Sequence, residues 1–155
     1  MQTPSEVVPD VNGFMKNRVI PIAREMVGKA KLENRVRFAE GNYNSDELPG
    51  GCDLALLSAI IHQNSPEENL TLYRKIYAAL ETGGVLLIRD HVMDETRTQP
   101  PGGALFALNM LVNTPGGDTY TFSEIRDGLE AAGFDDVKMV TSGERMDCLV
   151  EARKL

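Results

Sequence analysis

The stretch Asp53–Asp90, DLALLSAIIHQNSPEENLTLYRKIYAALETGGVLLIRD, decides how this chain folds. It begins inside the near-continuous apolar run CDLALLSAI, which is typical of a strand covered on both faces of a sheet. Ser65 then predicts a helix N-cap, with Pro66 in the first helical turn. The helix runs up to ETGG, and VLLIRDHV predicts the next buried strand. Strand, helix and strand in this order indicate an α/β architecture.

The alternation continues on both sides of this stretch. Residues 18–31 predict a helix, because apolar residues recur at helical spacing, and RVRFAEG predicts a short strand. After the loop TRTQPPGG, the run ALFALNMLVN predicts an apolar helix, and a further helix begins at Thr121 or Ser123. The tail DDVKMVTSGERMDCLVEARKL predicts two antiparallel strands joined at SGER. We expect a single domain over residues 1–155, with an irregular N-terminal segment over residues 1–17.

Composition excludes several classes of function. The chain has 155 residues and a formal net charge of −7, so no basic face is available for a nucleic-acid backbone. No apolar run reaches the roughly 18 residues of a membrane helix. MQTPSEVVPD lacks the features of a signal peptide, and a cytoplasmic location is expected. Cys52 and Cys148 have no metal-ligand spacing and are expected to be reduced thiols, so no metal site is predicted.

From about Val19 to Lys154 the sequence resembles the catalytic domain of small-molecule O-methyltransferases. The resemblance is carried by PIAREMVGKAKLENRVRFAEGNY, the opening stretch, NMLVNTPGGDTYTFSEIRDGLEAAGF and the closing hairpin. IIHQNSPEE combined with GGDTYT is its specific part. It implies a Rossmann-like class I methyltransferase sheet, mostly parallel, with a C-terminal antiparallel hairpin. It also implies S-adenosylmethionine as cofactor and a hydroxyl on a small, aromatic or polyketide-like acceptor.

One motif of that family is missing. The family has an early strand that ends in a glycine-rich turn beneath the cofactor, where only glycine lets the backbone approach closely. Here MQTPSEVVPDVNGFMKN contains a single glycine, Gly13. We therefore expect a domain truncated at its N-terminal strands, which by itself binds the cofactor weakly or not at all. We expect the family's separate dimerisation domain to be missing too.

The resemblance implies four cofactor-binding residues: Asn42, Tyr43, Ser58 and Asp10. Asn42 replaces the family's usual aspartate at the adenine amino group, and its side-chain carbonyl can still accept from that amine. Tyr43 stands where an aromatic ring packs on the adenine. Ser58 would lie beside the methionine portion of the cofactor, and Asp10 would bind the ribose hydroxyls.

Each of these four assignments has an alternative that involves no cofactor. Asn42 and Tyr43 also suit an ordinary turn after a strand. The hydroxyl of Ser58 is equally well explained by a hydrogen bond to the backbone. Asp10 follows Pro9, which interrupts a strand ladder, and an exposed aspartate in an irregular terminal segment is the favoured interpretation.

His62 falls where the plant-type enzymes of this family have their general base. Methyl transfer to a hydroxyl needs a group that removes a proton, and an imidazole suits that task near neutral pH. Gln63 replaces the family's usual aspartate. The alternative is a histidine at a strand end that bonds only to backbone.

Asp90 matches the acidic residue that orients this base in the family. A carboxylate there would stabilise the imidazolium formed by proton removal. Thr119 stands where a second family acid is expected, so the arrangement is incomplete. His91 would point to the other face if the strand continued, in packing or at the surface. Phe106 and Met110 would line the acceptor pocket, although an apolar helix also suits a core.

The sequence thus favours an S-adenosylmethionine-dependent O-methyltransferase with a small-molecule acceptor. A non-catalytic remnant or interaction module is the alternative, because a sheet without its first strands exposes an edge that a partner strand can join. Self-association into a homodimer is compatible with either. A third alternative is a fragment whose upstream part supplies the glycine-rich turn.

Overall fold

The structure is a computed structural model that describes residues 11–15 and 20–155. The chain forms two compact units, residues 1–49 and residues 50–155. The first unit contains strand β1 (Val11–Met15), helix α1 (Ile20–Lys29) and strand β2 (Val36–Glu40), and β1 pairs with β2 in parallel. The strand β1 lies inside the segment 1–17 that was expected to be irregular. The helix and the strand β2 confirm the expected pattern.

The second unit contains most of the regular structure. Its strands are β3 (Cys52–Ser58), β4 (Leu80–Asp90), β5 (Val92–Met93), β6 (Tyr120–Thr121), β7 (Asp135–Thr141) and β8 (Cys148–Arg153). Its helices are α2 (Pro66–Ala79), α3 (Pro101–Asn113) and α4 (Phe122–Ala131), and a single 3-10 turn covers Ile61–Gln63.

The main sheet of this unit has the strand order β3-β4-β8-β7. The pair β3–β4 is parallel, whereas β4–β8 and β7–β8 are antiparallel. The closing antiparallel hairpin is therefore confirmed. The ETGG stretch lies inside β4, which begins at Leu80, although it was expected only to end the helix. The pairing with β3 is irregular there: between Cys52↔Leu80 and Leu54↔Val85 the register advances by two residues on β3 and by five on β4.

Strand β3 lies at the edge of this sheet, and one of its faces is open. Leu54 and Leu56 are 49% and 63% exposed. Because alternate residues of a strand point to the same face, these two leucines form one apolar stripe. The expectation that this strand is covered on both faces is therefore wrong. A run of apolar residues does not reveal whether a second layer of structure covers each face of the strand.

Helices α2 and α4 build the core of the second unit. They pack against each other, and α2 also packs on β4 while α4 packs on β7. Full burial of each aliphatic or aromatic side chain stabilises the fold by about 1.5–3 kcal/mol. The buried apolar side chains include Leu72, Ile76, Leu86, Ile88, Ile125, Leu129, Phe134 and Val150.

Both helices begin with a capping box. The Ser65 hydroxyl accepts from the Glu68 amide, and the Glu68 carboxylate accepts from the Ser65 amide. Thr121 and Glu124 form the same reciprocal pair at the start of α4, which decides between the two expected starts. These pairs satisfy backbone donors that a helix end leaves unpaired.

Loss of the first cap should weaken the fold measurably. We expect Ser65→Ala to lower the free energy of unfolding by about 1 kcal/mol, because the Glu68 amide loses its acceptor. Urea denaturation followed by circular dichroism measures this change. Thr71→Ala is the matched control, because its exposed hydroxyl bonds only to the Glu67 carbonyl of its own helix. Equal effects of the two substitutions would contradict the assignment of the cap.

Candidate functional site

The ends of β3 and β4 bring His62 and Asp90 together. The two strands are parallel neighbours, and Ser58 at the end of β3 pairs with Arg89 near the end of β4. The chain then leaves β3 through Ala59, which has a φ of 57°, and enters the 3-10 turn that carries His62. Polar residues that follow parallel strands meet at the carboxyl edge of a sheet, where ligands of α/β proteins bind.

The two side chains form a buried hydrogen-bonded pair. His62 Nδ1 lies 2.8 Å from Asp90 Oδ1 and 3.0 Å from Oδ2. The residues are 6% and 1% exposed. A carboxylate only accepts hydrogen bonds, so the pair requires a proton on Nδ1 and leaves the lone pair of the imidazole on Nε2. The alternative in which His62 bonds only to backbone does not describe this geometry.

Asp90 has a second donor. The backbone amide of His91 donates to Asp90 Oδ1 at 2.8 Å. A buried carboxylate is stable only when it is paired and hydrogen-bonded, and these two donors supply that pairing. The carboxylate is therefore fixed from two sides, and it fixes the imidazole in turn.

Phe106 of α3 lies between the two imidazoles of the chain. Its ring meets His62 edge-on, with centroids 5.0 Å apart and planes at 85°. The same ring meets His91 at 5.0 Å in a tilted arrangement. Phe106 is half-buried, and Met110, one helical turn further on, is buried. Of the apolar residues on α3, these two lie on its inner side, while Leu105, Leu108 and Leu111 are exposed.

His91 is packed inside the fold, which is one of the two placements that the sequence allowed, although it does not lie on a continued strand. The strand does not continue through it, because β4 ends at Asp90 and the following strand β5 pairs with β6. His91 therefore packs inside, 8% exposed, and its Nδ1 is buried without a hydrogen-bond partner. Burial lowers the pKa of His91 below its ordinary value of 6.5, against the opposing charge of Asp90.

Thr119, which stands where the resemblance places a second acid, is a buried neutral side chain. The residue is 2% exposed, and its hydroxyl donates weakly to the Gly103 carbonyl at 3.4 Å. Asp90 is thus the carboxylate that contacts His62. Its charge also reaches Tyr73, a buried phenol whose pKa is raised, mainly by burial and further by Tyr120 and Asp90.

The four expected cofactor residues fall in different parts of the chain. Ser58 is half-buried, and its Oγ accepts from Arg89 Nη1 at 3.3 Å. Asn42 is exposed in the first unit, where its Oδ1 accepts from the Asn44 amide at 3.2 Å. Tyr43 follows in the same turn. Asp10 lies outside the described residues.

Three polar residues around His62 were missed by the sequence reasoning. Asn64 and Asn69 are each 4% exposed and bond to each other, and Tyr120 donates to the Asn64 carbonyl. A signal was present for one of them. Asparagine is unfavourable inside a helix, so Asn69 within α2 needed a specific partner.

No metal site accompanies this arrangement. Within residues 11–15 and 20–155, no group of three or more His, Cys, Asp or Glu side chains is placed to hold a metal ion. Both cysteines are in the thiol form, as expected. No helix in the part of the chain that the structure describes is long and apolar enough to cross a membrane.

Comparison with known families decides what kind of domain carries this pair. The model of the O-methyltransferase domain matches residues 8–135. The chain belongs to the O-methyltransferase domain family. Among its relatives, the 3-hydroxy-5-methyl-1-naphthoate 3-O-methyltransferase of Streptomyces sahachiroi is 34% identical over 122 residues, which are 79% of this chain and 35% of that protein. The tetracenomycin polyketide synthesis 8-O-methyltransferase of Streptomyces glaucescens is 32% identical over 134 residues, 86% of this chain and 39% of that protein.

A solved methyltransferase structure has the same fold class as this O-methyltransferase domain. Human N-acetylserotonin methyltransferase in complex with SAM (S-adenosylmethionine) superposes with a TM-score of 0.82 at 28% identity, covering 94% of this chain and 40% of that one. The class I methyltransferase fold, mostly parallel with a closing antiparallel hairpin, is thereby confirmed. The O-methyltransferase domain described here spans between a third and two fifths of the length of these proteins.

The buried neutral His91 should make stability depend on pH. Its pKa is lower in the folded than in the unfolded chain, so below about 6.5 the unfolded chain binds a proton that the folded chain excludes. The contribution of His91 to the free energy of unfolding has its full value above about pH 6.5 and decreases as the pH falls. We expect His91→Phe to reduce the slope of unfolding free energy against pH by at most about 1.4 kcal/mol per pH unit.

Urea titrations at several pH values measure both slopes. His62 is present in both proteins, so the difference between them isolates His91. Parallel curves for the wild type and His91→Phe would show that His91 titrates alike in the folded and unfolded chain.

Proposed function

We propose that this O-methyltransferase domain transfers a methyl group from S-adenosylmethionine to a hydroxyl of a small aromatic acceptor, with His62 as the general base. The observation that carries the proposal is the buried His62–Asp90 pair at the carboxyl edge of the sheet. An imidazole held by a carboxylate is the usual arrangement for accepting a proton from a hydroxyl.

His62 and Asp90 would divide the work in the following way. The acceptor hydroxyl would give its proton to His62 Nε2 while its oxygen takes the methyl group, and the methyl–sulfur bond of the sulfonium would break to leave a neutral thioether. The imidazolium then carries a proton on each nitrogen, and Asp90, 2.8 Å from Nδ1, stabilises the new positive charge. Because both side chains are buried, this charge pairing is stronger than it would be in water.

The hydrogen bonds that Asn42 and Ser58 already make leave each side chain a further hydrogen-bonding function for the cofactor. The cofactor supplies an activated methyl group on a sulfonium. Asn42 Oδ1 has two lone pairs, of which the Asn44 amide uses one, so the other can accept from the adenine amine. Ser58 Oγ accepts from Arg89 and keeps its own proton to donate to the methionine portion. Tyr43 would pack on the adenine ring, and Asp10 would bind the ribose.

An aromatic acceptor fits the apolar wall beside the base. Phe106 touches His62 edge-on, and Met110 lies one turn further along the same helix. Aromatic rings pair well in edge-to-face arrangements, and the flexible thioether of methionine adapts to them. The name of one Streptomyces relative describes the O-methylation of a hydroxynaphthoate, and that of the other an O-methyl transfer in polyketide synthesis, which agrees with this chemistry.

We further propose that the two compact units belong to one partial methyltransferase domain, because the family model spans residues of both. The acidic net charge of −7 argues against a nucleic-acid partner.

The alternative function is that of a non-catalytic interaction module. The exposed stripe of Leu54 and Leu56 on the edge strand β3 favours it, because an open edge with apolar side chains can accept a strand from a partner or from a second copy. Calorimetry with S-adenosylmethionine and size-exclusion chromatography separate the two functions. A folded chain that forms a dimer but neither binds the cofactor nor methylates any acceptor is an interaction module.

Removal of the base should abolish most of the turnover. We expect His62→Ala to lower kcat by roughly 10²–10⁴-fold, the usual contribution of a positioned acid–base group. Transfer of radiolabelled methyl from S-adenosylmethionine to a panel of phenols and naphthols measures it, together with calorimetry to show that cofactor binding is retained. Asn113→Ala is the control, since Asn113 is exposed and bonds only within α3. An undiminished kcat in His62→Ala would remove this residue from the mechanism.

A further inference from the structure

The loop that carries His62 is held by a buried amide on the next helix. Asn69, in the first half of α2, donates from Nδ2 to the Ile61 carbonyl at 2.9 Å. Its Oδ1 accepts from Asn64 Nδ2 at 3.0 Å. One side chain thus bonds to the residue just before His62 and to a residue two positions after it.

The carboxamide of Asn69 makes both bonds at once. The Ile61 carbonyl needs a donor and the Asn64 side chain needs an acceptor, and an amide group presents one of each in a single plane. An ionised aspartate would have no donor, and an alanine would have neither group. Because Asn64 and Asn69 are each 4% exposed, water does not readily replace the lost partners.

On its other side, the loop is held by residues that follow α3 in the chain. Tyr120 of β6 donates to the Asn64 carbonyl. A Cβ added at Gly117 would lie 2.3 Å from the His62 carbonyl oxygen, so the backbone at Gly117 presses directly against His62. Gly117 is itself held by the Thr114 hydroxyl, which accepts from its amide at 2.8 Å. The turn is therefore fixed between α2 on one side and the segment after α3 on the other.

From this geometry we infer that Asn69 is a positioning residue for His62. It does not touch the acceptor or the imidazole, and it acts by fixing the backbone from which the imidazole reaches Asp90. The inference rests on the proposed function for its effect on turnover, but its effect on the imidazole is independent of catalysis.

The imidazole proton provides the direct test. The chain has two histidines, so the Nδ1–H resonance of His62 is assigned by its loss in His62→Gln. We expect this proton to exchange slowly with solvent in the wild type. In Asn69→Ala it should exchange faster and lose its downfield shift, because the ring no longer keeps its bond to Asp90. Asn64→Ala removes only one of the two amide bonds and should have a smaller effect in the same direction.

Asn113→Ala is the matched control, because it removes an asparagine from a helix without touching this loop. Circular dichroism establishes that each variant is folded. If Asn69→Ala does not fold, Asn64→Ala and Gly117→Ala carry the test, since Gly117→Ala displaces the His62 carbonyl from the opposite side. A Nδ1–H resonance with wild-type shift and exchange rate in the folded variants would overturn the inference.

Turnover separates this inference from the proposed function. We expect kcat of Asn69→Ala to fall by roughly ten- to a hundredfold, as for a misplaced reacting group, with an unchanged KM for S-adenosylmethionine. If the imidazole proton changes but kcat does not, the positioning role stands and the base role of His62 fails. If neither changes, Asn69 has no positioning role.

Discussion

A carboxylate buried at the end of a central strand is the constraint on which the rest of this structure depends. Asp90 is 1% exposed, and such a group is tolerated only with donors directed at it. Two donors are present, the imidazole of His62 and the amide of His91. The first requires that β3 and β4 be parallel neighbours. The second requires that the backbone turn immediately after Asp90.

Three contacts set the position of the His62 imidazole. Asp90 fixes its orientation, Phe106 meets the ring in an edge-on contact, and Asn69 fixes the backbone of the turn that carries it. Each contact comes from a different element, so the site forms only when β4, α3 and α2 are all in place. The base role proposed for His62 would therefore need little reorganisation of this side chain during reaction.

Local sequence signals predicted much of this fold. The N-cap at Ser65 was predicted from a hydroxyl residue directly before Pro66, and the closing hairpin from two strand patterns joined at SGER. The pairing of His62 with Asp90 was implied by the family resemblance. These features depend on few residues or on a regular topology.

Features that depend on packing between neighbouring layers of the fold could not be predicted from the sequence. The apolar run of β3 gave no sign that Leu54 and Leu56 are exposed, because periodicity does not show whether a layer covers them. His91 was expected on an extended strand, whereas the strand ends one residue earlier. Asn64 and Asn69 carry no motif, and only the buried fold shows that their amides are bonded to each other.

The central claim is that Asp90 keeps the proton on Nδ1 and leaves Nε2 of His62 ready to accept another. Nitrogen-15 chemical shifts of the His62 imidazole, measured on histidine-labelled protein with the ring in its neutral form, report which nitrogen carries the proton. The account predicts a protonated Nδ1 and an unprotonated Nε2 for His62, and a loss of this preference in Asp90→Asn. A wild-type His62 protonated on Nε2 would contradict the account, because the nitrogen that faces the acceptor would have no lone pair to offer.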